Sequence, residues 1–111
     1  MTEIVDVSRI RALNDALRRS PAGGVLMMTA GVIALGRVRQ LAILEAVAAF
    51  DGFDPDNDPY GEGDFGVLQV EGERLFFKID YYDRNLTGHS PDPADASVTT
   101  RVLTIMLAEE Y

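Results

Sequence analysis

The chain has no cysteine and a single histidine, His89. The first absence rules out disulfides and thiolate chemistry, and it fits a reducing compartment. Together the two leave too few soft ligands for a zinc site. Long apolar stretches are also missing. The richest run, GGVLMMTAGVIALG at 23–36, is short and broken by glycine, so no membrane span is expected. The opening residues, MTEIVDVSRIRALNDAL, lack the apolar core of a secretory signal. No GK[ST] occurs, which removes a P-loop. GEGDFG, Gly61–Gly66, has glycines but places carboxylates where a phosphate loop must offer amides. The expectation is a soluble cytoplasmic protein.

Basic residues are scarce in the second half. Residues 1–50 carry six Arg against four acids, a net of +2, whereas 51–111 carry fourteen acids against four bases, a net of -10. The whole is -8. Such a field repels nucleic acid and anionic membranes and attracts cations and basic protein surfaces. It also serves solubility. The 111 residues, 47% apolar, are enough for one domain with a core, 1–111.

VSRIRALNDALRRS has a helical stripe of Val7, Ile10, Leu13 and Leu17, with the arginines largely outside it. Asp6 is placed to cap it, and Pro21-Ala22-Gly23-Gly24 to stop it. VLMMT reads as a short strand, and VIAL after Gly31 as a second. RVRQLAILEAVAAF has a helical period through Val38, Leu41, Leu44 (or Ile43) and Val47. FGVLQV and RLFFKIDYYD, joined by EGE, predict a hairpin with Gly72 in its turn. Leu75, Phe77, Ile79 and Tyr81 share one face of the second strand; Phe76, Lys78, Asp80 and Tyr82 share the other. SVTTRVLTIMLAEEY reads as a buried final helix, started by Pro93 or Ser97. Its apolar surface would support a homodimer. The predicted fold is α+β, a small antiparallel sheet of about three to four strands packed with three helices.

The most unusual stretch is FDPDNDPYGEGDFG, Phe53–Gly66, with five carboxylates among Pro, Gly and three aromatics. Asp54, Asp56 and Asp58 alternate like the first ligands of an EF-hand. The sixth position, however, is Pro59 instead of Gly, and the twelfth is Phe65 instead of Glu. A looser divalent-cation site from Asp56, Asp58, Glu62 and Asp64 is one reading. A second is structural: Asp54 and Asn57 bond nearby backbone amides and fix turns. A third is a binding surface, with Tyr60 and Phe65 as anchors within the acids.

His89 in GHSPDP has Ser90 and Asp92 too close in sequence to form a triad. Asp80 and Tyr82 project beside Lys78 from one strand face. If the acidic loop folds over that face, Asp64 or Glu62 would approach Asp80, and paired carboxylates split their pKa values. The plainer reading is a Lys78–Asp80 pair that orders the sheet.

NDPYGEGDFG, KIDYYD and SPDPADASVTTRVLTIMLAEEY together resemble a bacterial domain family of unknown function. Its members are short stand-alone proteins often met on plasmids and other mobile elements, with the pattern NDPYGEHDFG, KIDYYD, SPDPAD and RVLTIMLAEEY. The resemblance runs from Asn14 onward and is strongest from Phe50 to the end. It implies no activity. Where the pattern has His this chain has Gly63, so any chemistry resting on that His is expected to be absent here.

These readings converge on a non-enzymatic interaction protein that meets a basic protein surface through Asp56, Asp58, Tyr60, Glu62 and Asp64, supported by Asp80, Tyr82 and Asp83. The mobile-element resemblance implies an inhibitor of a host nucleic-acid-handling defence complex, of anti-CRISPR or anti-restriction type, with carboxylates standing in for DNA phosphates. The alternatives are a small metal-dependent hydrolase using the Asp54–Asp64 loop, and a structural domain without activity of its own. No cofactor is expected apart from a divalent cation in that second reading.

Overall fold

The structure, a computed structural model, describes residues 6–111. Residues 1–5, the start of the segment read as lacking a signal core, lie outside the described residues.

Helix α1 spans Val7–Arg19. Asp6 caps it as expected, its carboxylate accepting from the Arg9 amide at 3.0 Å. Its buried side is Ile10, Asn14, Leu17 and Arg18, so one arginine lies inside the stripe and not outside it. Strand β1 is Val25–Met28. The segment after it, read as a second strand, is instead a short helix, α2, Ala30–Ala34. Five residues are too few for periodicity to separate helix from strand. The structure-bearing signal is distant: Glu110 accepts from the Gly31 amide (2.9 Å) and from Thr29 Oγ1 (2.6 Å) at the start of this turn. Helix α3, Arg37–Ala49, follows Gly36. It turns Ile43 and Val47 to the core and leaves Val38 and Leu41 exposed, which chooses Ile43 over Leu44.

β2 (Phe65–Val70) and β3 (Glu73–Tyr82) form the predicted hairpin. Its two turn residues, Glu71 and Gly72, have φ of 49° and 84°, the left-handed pair that a type I′ turn requires. The last segment is the larger correction. SVTTRVLTIMLAEEY is not a helix: Thr100–Leu107 is strand β4, flanked by two short 3₁₀ turns, the first capped by Asp95 and not by Pro93 or Ser97. Arg101, Leu103, Ile105 and Leu107 alternate into the core, and Met106 is buried on the opposite face. A strand apolar on both sides mimics a buried helix in sequence.

The sheet order is β1-β4-β3-β2. β4 pairs antiparallel with β3 and parallel with β1, so the sheet is mixed where an antiparallel one was expected. The class, α+β with a small four-stranded sheet and three helices, is as read. Because β4 lies between two strands, its apolar side chains serve the core, and the argument that a final helix supports a dimer falls away. Leu17, Val32, Ile43 and Val47 pack from the three helices on Leu75, Phe77, Ile79, Leu103 and Ile105. All three helices therefore cover one face of the sheet. The other face carries Phe76, Lys78 and Asp80, all half-buried. No helix among the described residues is long and apolar enough to cross a membrane.

Candidate binding cleft

The acidic loop is built largely from bonds to itself. Asp54 Oδ1 accepts from the amides of Asp56 and Asn57, at 2.8 and 3.0 Å. Asn57 Oδ1 accepts from the Asp54 amide, and its Nδ2 donates to the Gly52 carbonyl. These are the turn bonds expected of Asp and Asn. Asp58 is the hub. It is buried, and its two oxygens accept from the amides of Glu62 (3.0 Å) and Gly63 (3.1 Å). Arg11 Nη1 lies 3.6 Å from the same carboxylate. Asp58 therefore holds the loop and is not part of its exposed surface.

Gly63 has φ 66°, and a Cβ there would lie 2.6 Å from Arg11 Cδ. The Arg11 guanidinium covers the Phe53 ring at 4.4 Å. Glycine at this position is thus matched to the arginine that closes the loop onto α1. A histidine here would have to displace Arg11 and take a left-handed backbone.

Folded in this way, the loop meets the end of β3. Tyr60, Glu62 and Asp64 line an open cleft of about 530 Å³ with Asp80, Tyr82, Tyr81, Ile79, Gly88 and His89. Five of the eight residues expected to bind come together here: Tyr60, Glu62, Asp64, Asp80 and Tyr82. The other three lie elsewhere. Asp56 is exposed on the outer turn. Asp58 is buried beneath. Asp83 accepts from the amides of Asn85 and Thr87 and from Thr87 Oγ1. Those bonds hold its carboxyl below the usual range, the Thr87 amide contributing most.

The loop lines one cleft with Asp80, the condition attached to a carboxylate pair, and the plainer reading, a Lys78–Asp80 pair, is formed as well. Asp64 is raised above the ordinary carboxylate range, first by burial and then by the charges of Glu62, Asp58 and Asp80. Asp80 has a cation beside it, Lys78 Nζ at 2.9 Å. Among the described residues neither Glu62 nor Asp64 has a basic partner.

Sequence reasoning missed what stands behind the cleft. Tyr81 Oη donates to Glu62 Oε1 (2.8 Å) and accepts from Asn14 Nδ2 (2.7 Å). Asn14 also donates to the Glu62 carbonyl, and its Oδ1 accepts from Arg101 Nε at 2.9 Å. Asn14 is fully buried, so α1, β3, β4 and the loop share one polar network. The Tyr81 phenol is pushed well up, chiefly by burial. The signal was present in part: Asn14 sits on the apolar stripe of α1 between Ile10 and Leu17, and Arg101 stands directly before the apolar-rich run VLTIML.

A cation site from the loop does not assemble. Asp58 spends both its oxygens on amides, and no group of three or more His, Asp or Glu among the described residues is placed to hold a metal ion. His89 reaches the cleft from the β3–β4 connection, its ring 6.4 Å from that of Tyr81. Neither Ser90 nor Asp92 is turned to it: Ser90 Oγ is shared with Thr99 and with the Asp92 amide.

Residues 28–110 match the family described as "Protein of unknown function (DUF3768)", and the chain belongs to it. No curated protein and no solved structure matches the chain.

Proposed function

We propose that this chain is a non-enzymatic interaction protein whose acidic cleft receives a basic group on the surface of a partner protein. The observation that carries this is the pair Glu62 and Asp64: two carboxylates beside Asp80, gathered in an open cleft with no basic partner of their own among the described residues. A fold gains nothing by crowding like charges into a half-buried space. A cation from outside relieves that crowding. Tyr60, 77% exposed, and Tyr82, 36% exposed, flank the cleft. Aromatic rings beside carboxylates suit a guanidinium or ammonium, which is attracted by both.

The finer reading is an inhibitor that occupies a phosphate-binding surface of a nucleic-acid-handling defence complex. The net charge of -10 on residues 51–111 supports it, because such a field steers a basic partner and mimics a phosphate backbone. The resemblance to proteins of mobile elements points to the same target class.

The test is comparative capture from a bacterium carrying intact CRISPR and restriction systems. Wild type and an Asp64→Asn/Asp80→Asn double variant are used as bait at low and high salt. A stoichiometric defence-complex subunit that is retained by wild type at low salt, and lost with the variant or with salt, supports the reading. A partner held equally by the variant, or no partner at all, contradicts it.

A further inference from the structure

A second concavity, of about 310 Å³, lies between α1 and the start of β4. Its lining combines an apolar wall with two arginines, Arg84 and Arg101. Arg101 is 7% exposed. Its Nε donates to Asn14 Oδ1, and its Nη2 donates to the Pro93 carbonyl. The remaining nitrogen, Nη1, bonds to no described residue, and Arg101 lines the pocket. The groups that Arg101 touches among the described residues are neutral, including the Tyr81 ring 5.1 Å away, and Glu62 acts on it as a charge without forming an ion pair. Burying a guanidinium without an ion pair is unfavourable in the general case. Burial pulls its pKa down, against the weaker pull of Tyr81 and Glu62. Arg84, from the β3–β4 connection, is exposed and has no acidic partner among the described residues.

We propose that this pocket binds a small organic carboxylate, held by the Arg101 and Arg84 guanidinium groups, with its apolar body against Leu13, Ala16 and Leu17. Two guanidinium edges match the two oxygens of a carboxylate. The volume is at the small end of ligand pockets, about 300–1,000 Å³, and admits a ligand on the order of ten heavy atoms. The proposal is independent of the acidic cleft and of any protein partner.

The experiment is ¹H–¹⁵N NMR titration of the full chain with benzoate and with butyrate, against inorganic phosphate and sodium chloride at equal ionic strength. Saturable shifts at the Ser20, Gly23, Ala96 and Thr99 amides are expected for the carboxylates and not for chloride. Arg84→Gln removes one charge-assisted contact and weakens binding about tenfold. Ala16→Phe fills the wall and abolishes it. Both positions are exposed, so both variants keep the fold. Shifts that merely follow ionic strength overturn the proposal. So does saturation by phosphate without saturation by benzoate or butyrate, and so does unchanged benzoate affinity in both variants.

Discussion

Asp56 and Asp58 look alike in sequence, two aspartates in one acidic run, and the fold gives them opposite work. Asp58 is buried against two amides and Arg11, whereas Asp56 faces solvent. Asp58→Ala leaves two amides without their acceptor, and chemical denaturation is expected to show a loss of about 1–3 kcal/mol. Asp56→Ala is expected to stay within about 0.5 kcal/mol of wild type. Asp64 runs the other way. Its folded-state pKa is raised above the ordinary value of 3.8, so its contribution favours the fold at low pH and turns against it as pH rises through the folded value. Asp64→Asn is therefore expected to raise Tm at pH 7, with the gain shrinking in acid and gone below about pH 3.8, where both states carry the proton. A Tm unchanged or lowered at pH 7 would contradict the electrostatic account of the cleft. Turn-capping by Asp54 and Asn57 was legible because those bonds are local, spanning two to five residues. The role of Asn14 was not, because its partners lie 48, 67 and 87 residues away.

Elements follow the same division between local and distant causes. Helix α1, helix α3 and the β2–β3 hairpin were legible: each has a long period or a turn signal within its own residues. β4 was not. Val98, Val102, Ile105 and Met106 satisfy a helical spacing, while Arg101, Leu103, Ile105 and Leu107 satisfy a strand spacing, and only pairing with β1 and β3 decides between them. Pairing on both edges also sets local stability. Amide exchange is expected to be slowest in β3 and β4, which have neighbours on both sides, and faster in the edge strands β1 and β2. Faster exchange in β4 than in β1 would contradict this topology. The helix α2 depends on the last residues. Glu110 accepts from Thr29, Gly31 and Leu107, and these bonds, the one from Thr29 foremost, hold its carboxyl below the ordinary range. Its contribution is present above the usual glutamate pKa and is lost as pH falls through the folded value. Glu110→Gln is expected to speed exchange in α2 at neutral pH and to differ little from wild type in acid.

Across the whole molecule the charge divides with the chain, +2 in residues 1–50 and -10 in 51–111, but the fold brings the halves together. Arg11 and Arg18 of α1 close onto Asp58, Asp15 and the carbonyls of Val47 and Phe50. Arg11 thereby anchors the acidic loop, while Glu62 and Asp64 in the cleft keep no ion-pair partner among the described residues. The composition announced an acidic surface; the fold selects Glu62, Asp64 and Asp80 from it. Binding through that surface is expected to weaken steeply with salt, since steering between opposite charges is screened over about 10 Å at 0.1 M. The most direct measurement is an NMR titration with a short arginine-rich peptide and an uncharged control of the same length. The account predicts saturable shifts from the arginine peptide centred on Tyr60, Glu62, Asp64, Asp80, Tyr82 and His89, suppressed by salt and by the Asp64→Asn/Asp80→Asn double variant. Shifts spread evenly over every acidic residue, Asp92, Asp95 and Glu109 included, and indifferent to the double variant, would contradict it.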